Sequence, residues 1–180
     1  MTVYSPSEDT HFLISSLKED GPSGNLVLEI GVGNGLITEC LTEMGYSVVG
    51  TDLILQALNQ TGSRFTFGEQ NHPFLIMGRS GGVFRKAIFD SIIINPPYLP
   101  SAEINDRTID GGKGGIEVVE EMIRSSTPSL VKGGEFRFLL STLSDSVKLM
   151  EHLSGFLRLK EVGRKALFFE ELIAIKARLE

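Results

Sequence analysis

The chain reads as an α/β protein with a mostly parallel seven-stranded sheet, helices on both faces and an antiparallel edge strand. Three observations predict this. Short apolar runs alternate with segments of helical spacing along most of the 180 residues. Two of those runs end in distinctive turns, Glu29-Ile30-Gly31-Val32-Gly33-Asn34-Gly35 and Asn95-Pro96-Pro97-Tyr98. The last two β-rich segments follow each other with no helix between them, as an antiparallel pair does. A chain of this length can bury a full core as one domain over 1–180, with 1–25 as a helical N-terminal extension.

Ser5-Pro6-Ser7-Glu8 has the form of a capping box with proline at the first helical position, and Phe12, Leu13, Ser16 and Leu17 then keep helical spacing. Gly21 to Asn25 is a turn, and Leu26 to Ile30 a short buried strand. Leu36, Ile37, Cys40, Leu41 and Met44 repeat as one helix face, closed by Gly45. Ser47 to Thr51 is the second strand, and a helix over Leu53 to Gln60 follows. Phe74 to Met77 and Ile88 to Ile94 are the third and fourth strands. Tyr98 to Gly115 is long, polar and rich in glycine, and loops of that length tend to be functional. A helix from Ile116 stops before Pro128, Gly134 to Ser141 is the fifth strand, and a helix spans Ser144 to Gly155. The final segments are Leu157–Val162 and Leu167–Ala177.

The formal charge is −6, unevenly spread. Met1 to Ser129 carries 8 Lys and Arg against 16 Asp and Glu, whereas Leu130 to Glu180 carries 9 against 7. No basic stripe stands out, which disfavours a nucleic acid substrate. No apolar run reaches membrane length, and the first residues lack the basic and apolar regions of a signal peptide. Cys40 is the only cysteine, so no intrachain disulfide forms and a cytoplasmic location is expected. His11, His72 and His152 are scattered without metal-ligand spacing.

Gly31, Gly33 and Gly35 permit a sharp strand-to-helix turn and close approach of a ligand. The dinucleotide fingerprint requires glycine at its sixth position, where this chain has Leu36, so nicotinamide chemistry loses support. Glu29 would repel a pyrophosphate but suits the cationic amino group of a methionine moiety. Asp52, followed by Leu53, ends the second strand and can accept hydrogen bonds from both ribose hydroxyls. The plain alternative is an ordinary glycine turn that starts a helix. S-adenosyl-L-methionine is the expected cofactor.

Asn95-Pro96-Pro97-Tyr98 suits an amide or aromatic amine whose nitrogen lone pair is delocalised. The Asn95 side-chain carbonyl and the Pro96 backbone carbonyl can both accept from one NH₂ group. Together they fix its rotation and favour positive charge on the attacking nitrogen. The prolines stiffen the loop, and Tyr98 offers a planar face. The alternative is a proline turn that merely ends a strand. Both motifs fall at strand carboxyl ends, where open α/β sheets bind ligands. The expected activity is methyl transfer to an sp² nitrogen.

These residues resemble the HemK/PrmC group of Rossmann-like class I methyltransferases. The likeness covers nearly the whole chain and includes Tyr4 to Thr10, Glu29 to Gly35, Asp52, Asn95 to Tyr98 and Asp110 to Gly115. The resemblance implies N5-methylation of the glutamine in the Gly-Gly-Gln segment of class I peptide release factors. It implies that Thr10, Glu29, Gly31, Asp52 and Asn95 contact the cofactor and that Asn95, Pro96 and Tyr98 hold the substrate. Only 25 residues precede the first strand, similar to the compact archaeal and eukaryotic branch, which works with a small zinc-binding activator subunit. One departure stands out. Where the family has an acidic residue for the adenine amino group, this chain has Gly78-Arg79-Ser80, so backbone groups near Arg79 and Ser80 are expected to serve instead. Two other functions compete. One is methylation of an exocyclic amine of adenine or guanine. The other is a cofactor-binding subunit without activity, which the intact Asn95–Tyr98 motif disfavours.

Overall fold

The structure is a computed structural model in which residues 8–66, 71–103 and 110–180 are described. The expected cap at Ser5–Ser7 lies outside those residues. The elements are α1 (Glu8–Glu19), β1 (Leu26–Ile30), α2 (Leu36–Glu43), β2 (Ser47–Asp52), α3 (Leu55–Gly62) and β3 (Phe74–Met77), followed by β4 (Phe89–Ile94), α4 (Glu117–Ser126), β5 (Leu130–Ser141), α5 (Ser146–Ser154), β6 (Leu157–Ala166) and β7 (Glu171–Leu179). The strand order is β3-β2-β1-β4-β5-β7-β6. β1 to β5 pair in parallel, and β7 runs antiparallel to both its neighbours. The reversed strand is thus second from the edge, with β6 outside it.

The inner strands are apolar on both faces because helices cover both. Leu28, Ile30, Ile92, Ile94, Phe136 and Phe138 pack with Ile116, Val119, Ile123, Leu149 and Leu153, which come from α4, α5 and the residue before α4. Val27, Ile93 and Leu139 turn to the other face and pack with Leu13, Leu17, Ile37 and Leu41 of α1 and α2. This is the two-residue alternation of a strand. Burying one such side chain contributes about 1.5–3 kcal/mol. At the amino ends of the strands, buried Arg137 pairs with buried Glu135 at 2.7 Å and with Asp20 at 3.0 Å, which ties the α1–β1 connection to β5. Among the described residues, no helix is long and apolar enough to cross a membrane.

Three boundaries differ from the sequence expectation by more than two residues, and one of them is the end of β6, at Ala166 rather than Val162. β5 starts at Leu130, ahead of the glycine pair, because the strand absorbs Gly133 in a left-handed conformation (φ 76°) and shifts register there. β7 starts at Glu171 rather than Leu167, because residues 167–170 form the β6–β7 turn with Leu167 N–H donating to the Glu170 carbonyl at 2.7 Å. Phe168 and Phe169 read as strand by their aromatic character, yet they sit on that turn, 91% and 84% exposed.

Register positions the site. Ile30 lies beside Thr51 on one side and Ile94 on the other, so the next residues, Gly31, Asp52 and Asn95, leave three adjacent strand ends together. Asp52 in turn lies beside Met77, which brings Gly78 and Arg79 to the same rim. The chain changes direction across the sheet between β1 and β4, the crevice where open α/β sheets bind ligands.

Candidate active site

A cavity of about 300 Å³ opens at those strand ends. That volume falls at the lower end of the range of about 300–1,000 Å³ for small-molecule sites. Its walls include Thr10, Gly31, Gly33, Asp52, Leu53, Arg79, Asn95, Pro96 and Tyr98, all singled out in the sequence. Glu29, Gly35 and Ser80 do not line it. Asp9, Met122 and Glu170 do, and the sequence reading assigns none of them a place in the site.

The floor is the glycine loop. Gly31 and Gly33 are left-handed (φ 79° and 52°), and a Cβ added to either meets nothing within 4 Å, so the space above them is open to a ligand. Gly31 and Val32 N–H donate to the Thr51 carbonyl at 2.8 and 3.0 Å, and Gly33 N–H donates to Asp52 Oδ2 at 3.0 Å. The other Asp52 oxygen accepts from Ile54 N–H at 2.8 Å. One carboxylate thus holds both the loop and the start of α3, and it still has lone pairs for hydroxyl donors. Gly35 has a different use. A Cβ there would meet Thr61 at 2.8 Å and Arg64 at 3.0 Å, so its lack of a side chain lets α3 approach. Ser80 accepts from Gly82 N–H at 3.3 Å and caps the single helical turn after β3.

Glu29 is buried, and strand alternation aims its side chain at the α2 face rather than out of the strand end. Thr38 of α2 donates its hydroxyl to Glu29 Oε2, while Oε1 is buried without a partner among the described residues. Burial pushes its carboxyl up to about 8; the Asp52 charge adds to that rise, and the Thr38 bond opposes it. A carboxyl whose folded value exceeds its unfolded one stabilises the fold when protonated. That contribution is complete below about pH 4.5 and is lost as pH rises through about 8. The melting temperature of the parent should therefore fall, relative to Glu29→Gln, between about pH 5 and 8.5. A pH-independent difference in thermal melts of the two proteins would rule this out.

Asn95 is oriented by α1. Its Nδ2 donates to Asp9 Oδ2 and to Thr10 Oγ1, each at 3.3 Å, and Asp9 Oδ1 accepts from Thr10 N–H at 2.6 Å. A carboxylate only accepts, so the NH₂ end of Asn95 must face Asp9 and its carbonyl must face away. Asn95 Oδ1 is buried without a partner among the described residues. A buried orphan acceptor is costly, about 1–3 kcal/mol, and this one belongs to a residue of the cavity wall. On the far walls, Arg79 pairs with Glu121 of α4, and Ser141 donates its hydroxyl to Glu170. The ends of the glycine-rich loop are joined by Gly111 N–H donating to the Leu99 carbonyl at 2.8 Å and Ser101 N–H to the Gly112 carbonyl at 3.0 Å. Residues 104–109 of that loop lie outside the described residues.

The profile of the methyltransferase small domain matches residues 5–168. The chain belongs to that family. A Methanocaldococcus jannaschii protein provisionally named a protein N5-glutamine methyltransferase is 33% identical to this methyltransferase over 97% of this chain and 91% of its own length. The release factor glutamine methyltransferase of Gloeobacter violaceus is 30% identical over 62% of this chain, and the match spans 44% of that longer protein. Among solved structures, the methyltransferase resembles that of the E. cuniculi Mtq2–Trm112 complex, responsible for methylation of the eRF1 translation termination factor. The TM-score is 0.82 at 25% identity, covering 100% of each chain. A T. thermophilus 16S rRNA methyltransferase in complex with AdoMet and guanosine shares the fold, with a TM-score of 0.69 at 20% identity over 98% of this chain and 44% of that one.

The protein is accordingly a Rossmann-like class I methyltransferase that uses S-adenosylmethionine. The cavity suits that cofactor. Three carboxylates, Asp9, Asp52 and Glu170, line it against one guanidinium, Arg79, which Glu121 neutralises. Such walls favour a cationic ligand and oppose a pyrophosphate. The open face over Gly31 and Gly33 accepts close backbone contact, and Leu53, Ile54, Ala57 and Met122 add apolar surface to the wall.

Proposed function

We propose that this methyltransferase transfers a methyl group to the side-chain amide nitrogen of the glutamine in the Gly-Gly-Gln segment of a class I peptide chain release factor. The observation that carries the proposal is Asn95, whose NH₂ end is held by Asp9 and Thr10 and whose buried carbonyl oxygen has no partner among the described residues. The names of the relatives support the same substrate.

In this reading, Thr10, Gly31, Gly33, Asp52, Leu53, Arg79 and Asn95 hold the cofactor, with Asp52 receiving the ribose hydroxyls. Glu29, Gly35 and Ser80 act from behind the wall by fixing α2, α3 and the turn after β3. When bound, S-adenosylmethionine supplies an electrophilic methyl group. Asn95 Oδ1 accepts one N–H of the target amide and the Pro96 carbonyl accepts the other, while Tyr98 flanks the amide plane. The two acceptors stop the amide from rotating and stabilise the positive charge that grows on its nitrogen. No base need act before attack, because the methylated nitrogen is acidic and sheds its proton afterwards. A cytoplasmic place of action belongs to this reading.

The proposal includes a small activator subunit, zinc-binding in the family the sequence resembles, seated on β3. Among the described residues β3 is the last strand of the sheet on its side, and Phe74, Ile76 and Met77 are 74%, 40% and 56% exposed. An apolar, unpaired edge strand tends to aggregate, and a partner that adds a strand removes the hazard. Labelled S-adenosylmethionine, offered with release factor or with structured RNA, tests both parts at once. Label should enter the release factor at the glutamine and not the RNA, and co-expression with the small partner should raise soluble yield and rate. Label in RNA alone would overturn the substrate. A soluble chain fully active without any partner would overturn the activator.

A further inference from the structure

Phe168 and Phe169 stand on the β6–β7 turn, 91% and 84% exposed, and pack on each other edge to face with ring centroids 4.5 Å apart. They contribute little to the core. Their turn is nevertheless well braced. Glu171 N–H donates to Thr142 Oγ1 at 2.9 Å, Thr142 N–H donates to the Glu171 carbonyl at 3.0 Å, and Leu143 N–H donates to Ser141 Oγ at 3.0 Å. The same Ser141 hydroxyl donates to Glu170, the next residue after the pair and part of the cavity wall. Leu143, 46% exposed, leaves this corner as well. Two large apolar side chains are thus held out in solvent, one residue from the cavity.

We propose that this turn is the docking element for the polypeptide that carries the target glutamine, a proposal that rests on the substrate reading above. The acceptor at Asn95 is buried, so only a side chain can reach it and the main chain of the substrate must cross the rim. Glu170 belongs to both the wall and the turn, which places the phenylalanine pair beside that path. Each aromatic can bury about 150–250 Å² against an apolar patch on the partner. A carboxylate at the same spot opposes a phosphate backbone, which favours a protein over a nucleic acid.

The test is a Phe168→Ser/Phe169→Ser double variant of the full chain, assayed together with the small partner if activity needs one. Both side chains are exposed, so its melting temperature and its affinity for S-adenosylmethionine should match the parent. Its KM for intact release factor should rise at least about tenfold. An unchanged KM, with the parent methylating release factor, would overturn the docking role alone. A parent that labels RNA and not release factor would overturn the substrate reading and this one with it. A loss of cofactor affinity, an early melt, or a parent dimer that the substitutions split into monomers would assign the pair to another task and overturn the proposal.

Discussion

Asn95→Ala should lower the rate of methyl transfer about 10²–10³-fold, the effect of removing one preorganised acceptor or donor from a site where charge develops. Cofactor affinity should fall far less. Asn95 Oδ1 is a buried acceptor of the cavity wall without a partner among the described residues, whereas Asp52 and the glycine loop hold much of the proposed cofactor site. The substitution also removes the Nδ2 donor from Asp9 and Thr10, so the first turn of α1 should loosen slightly and the melting temperature should drop by a few degrees at most. Single-turnover rates at saturating S-adenosylmethionine, read beside calorimetric titration of the cofactor, separate the two effects. Turnover within a few-fold of the parent would remove Asn95 from the reaction.

Asp52→Ala should weaken S-adenosylmethionine binding by about 10- to 100-fold, corresponding to loss of charge-assisted hydrogen bonds worth roughly 1.5–3 kcal/mol. Two causes combine here. The ribose would lose its proposed acceptor, and the loop loses the bonds to Asp52 from Gly33 and Ile54 N–H that shape it. Asp52→Asn separates them, because it keeps one carbonyl acceptor while removing the charge, and it should fall between parent and alanine. Both positions lie at the end of a strand, outside the buried clusters, so the fold should survive. A dissociation constant that Asp52→Ala leaves unchanged would place the ribose elsewhere in the cavity.

Each of these two residues illustrates how far the sequence reached. Asn95 and Asp52 were legible because each closes a run of apolar strand residues, and strand ends are set by local pattern and turn chemistry. The partner that orients Asn95 was not legible. Asp9 stands 86 positions away and meets Asn95 only when α1 packs across the sheet. Glu29 and Gly35 flank the glycine loop, and the sequence reading takes both as cofactor contacts; neither lines the cavity. In the fold, alternation turns Glu29 under α2, and the approach of α3 takes up the space at Gly35.

The sequence by itself determined the alternation of strands and helices, the antiparallel finish and the placing of both motifs at strand carboxyl ends. Periodicity, glycine turns and proline are short-range properties, and they survive in a one-dimensional reading. Only the tertiary structure decided the walls of the cavity, because register aligns Gly31, Asp52 and Asn95 across three strands while α4 and the β6–β7 turn bring Met122 and Glu170 from far along the chain. It also decided which apolar residues are left uncovered. Phe74 lies in a strand as the buried Phe136 and Phe138 do, and what separates them is whether packed elements cover the side chain. That depends on contacts between distant segments, which no local pattern records.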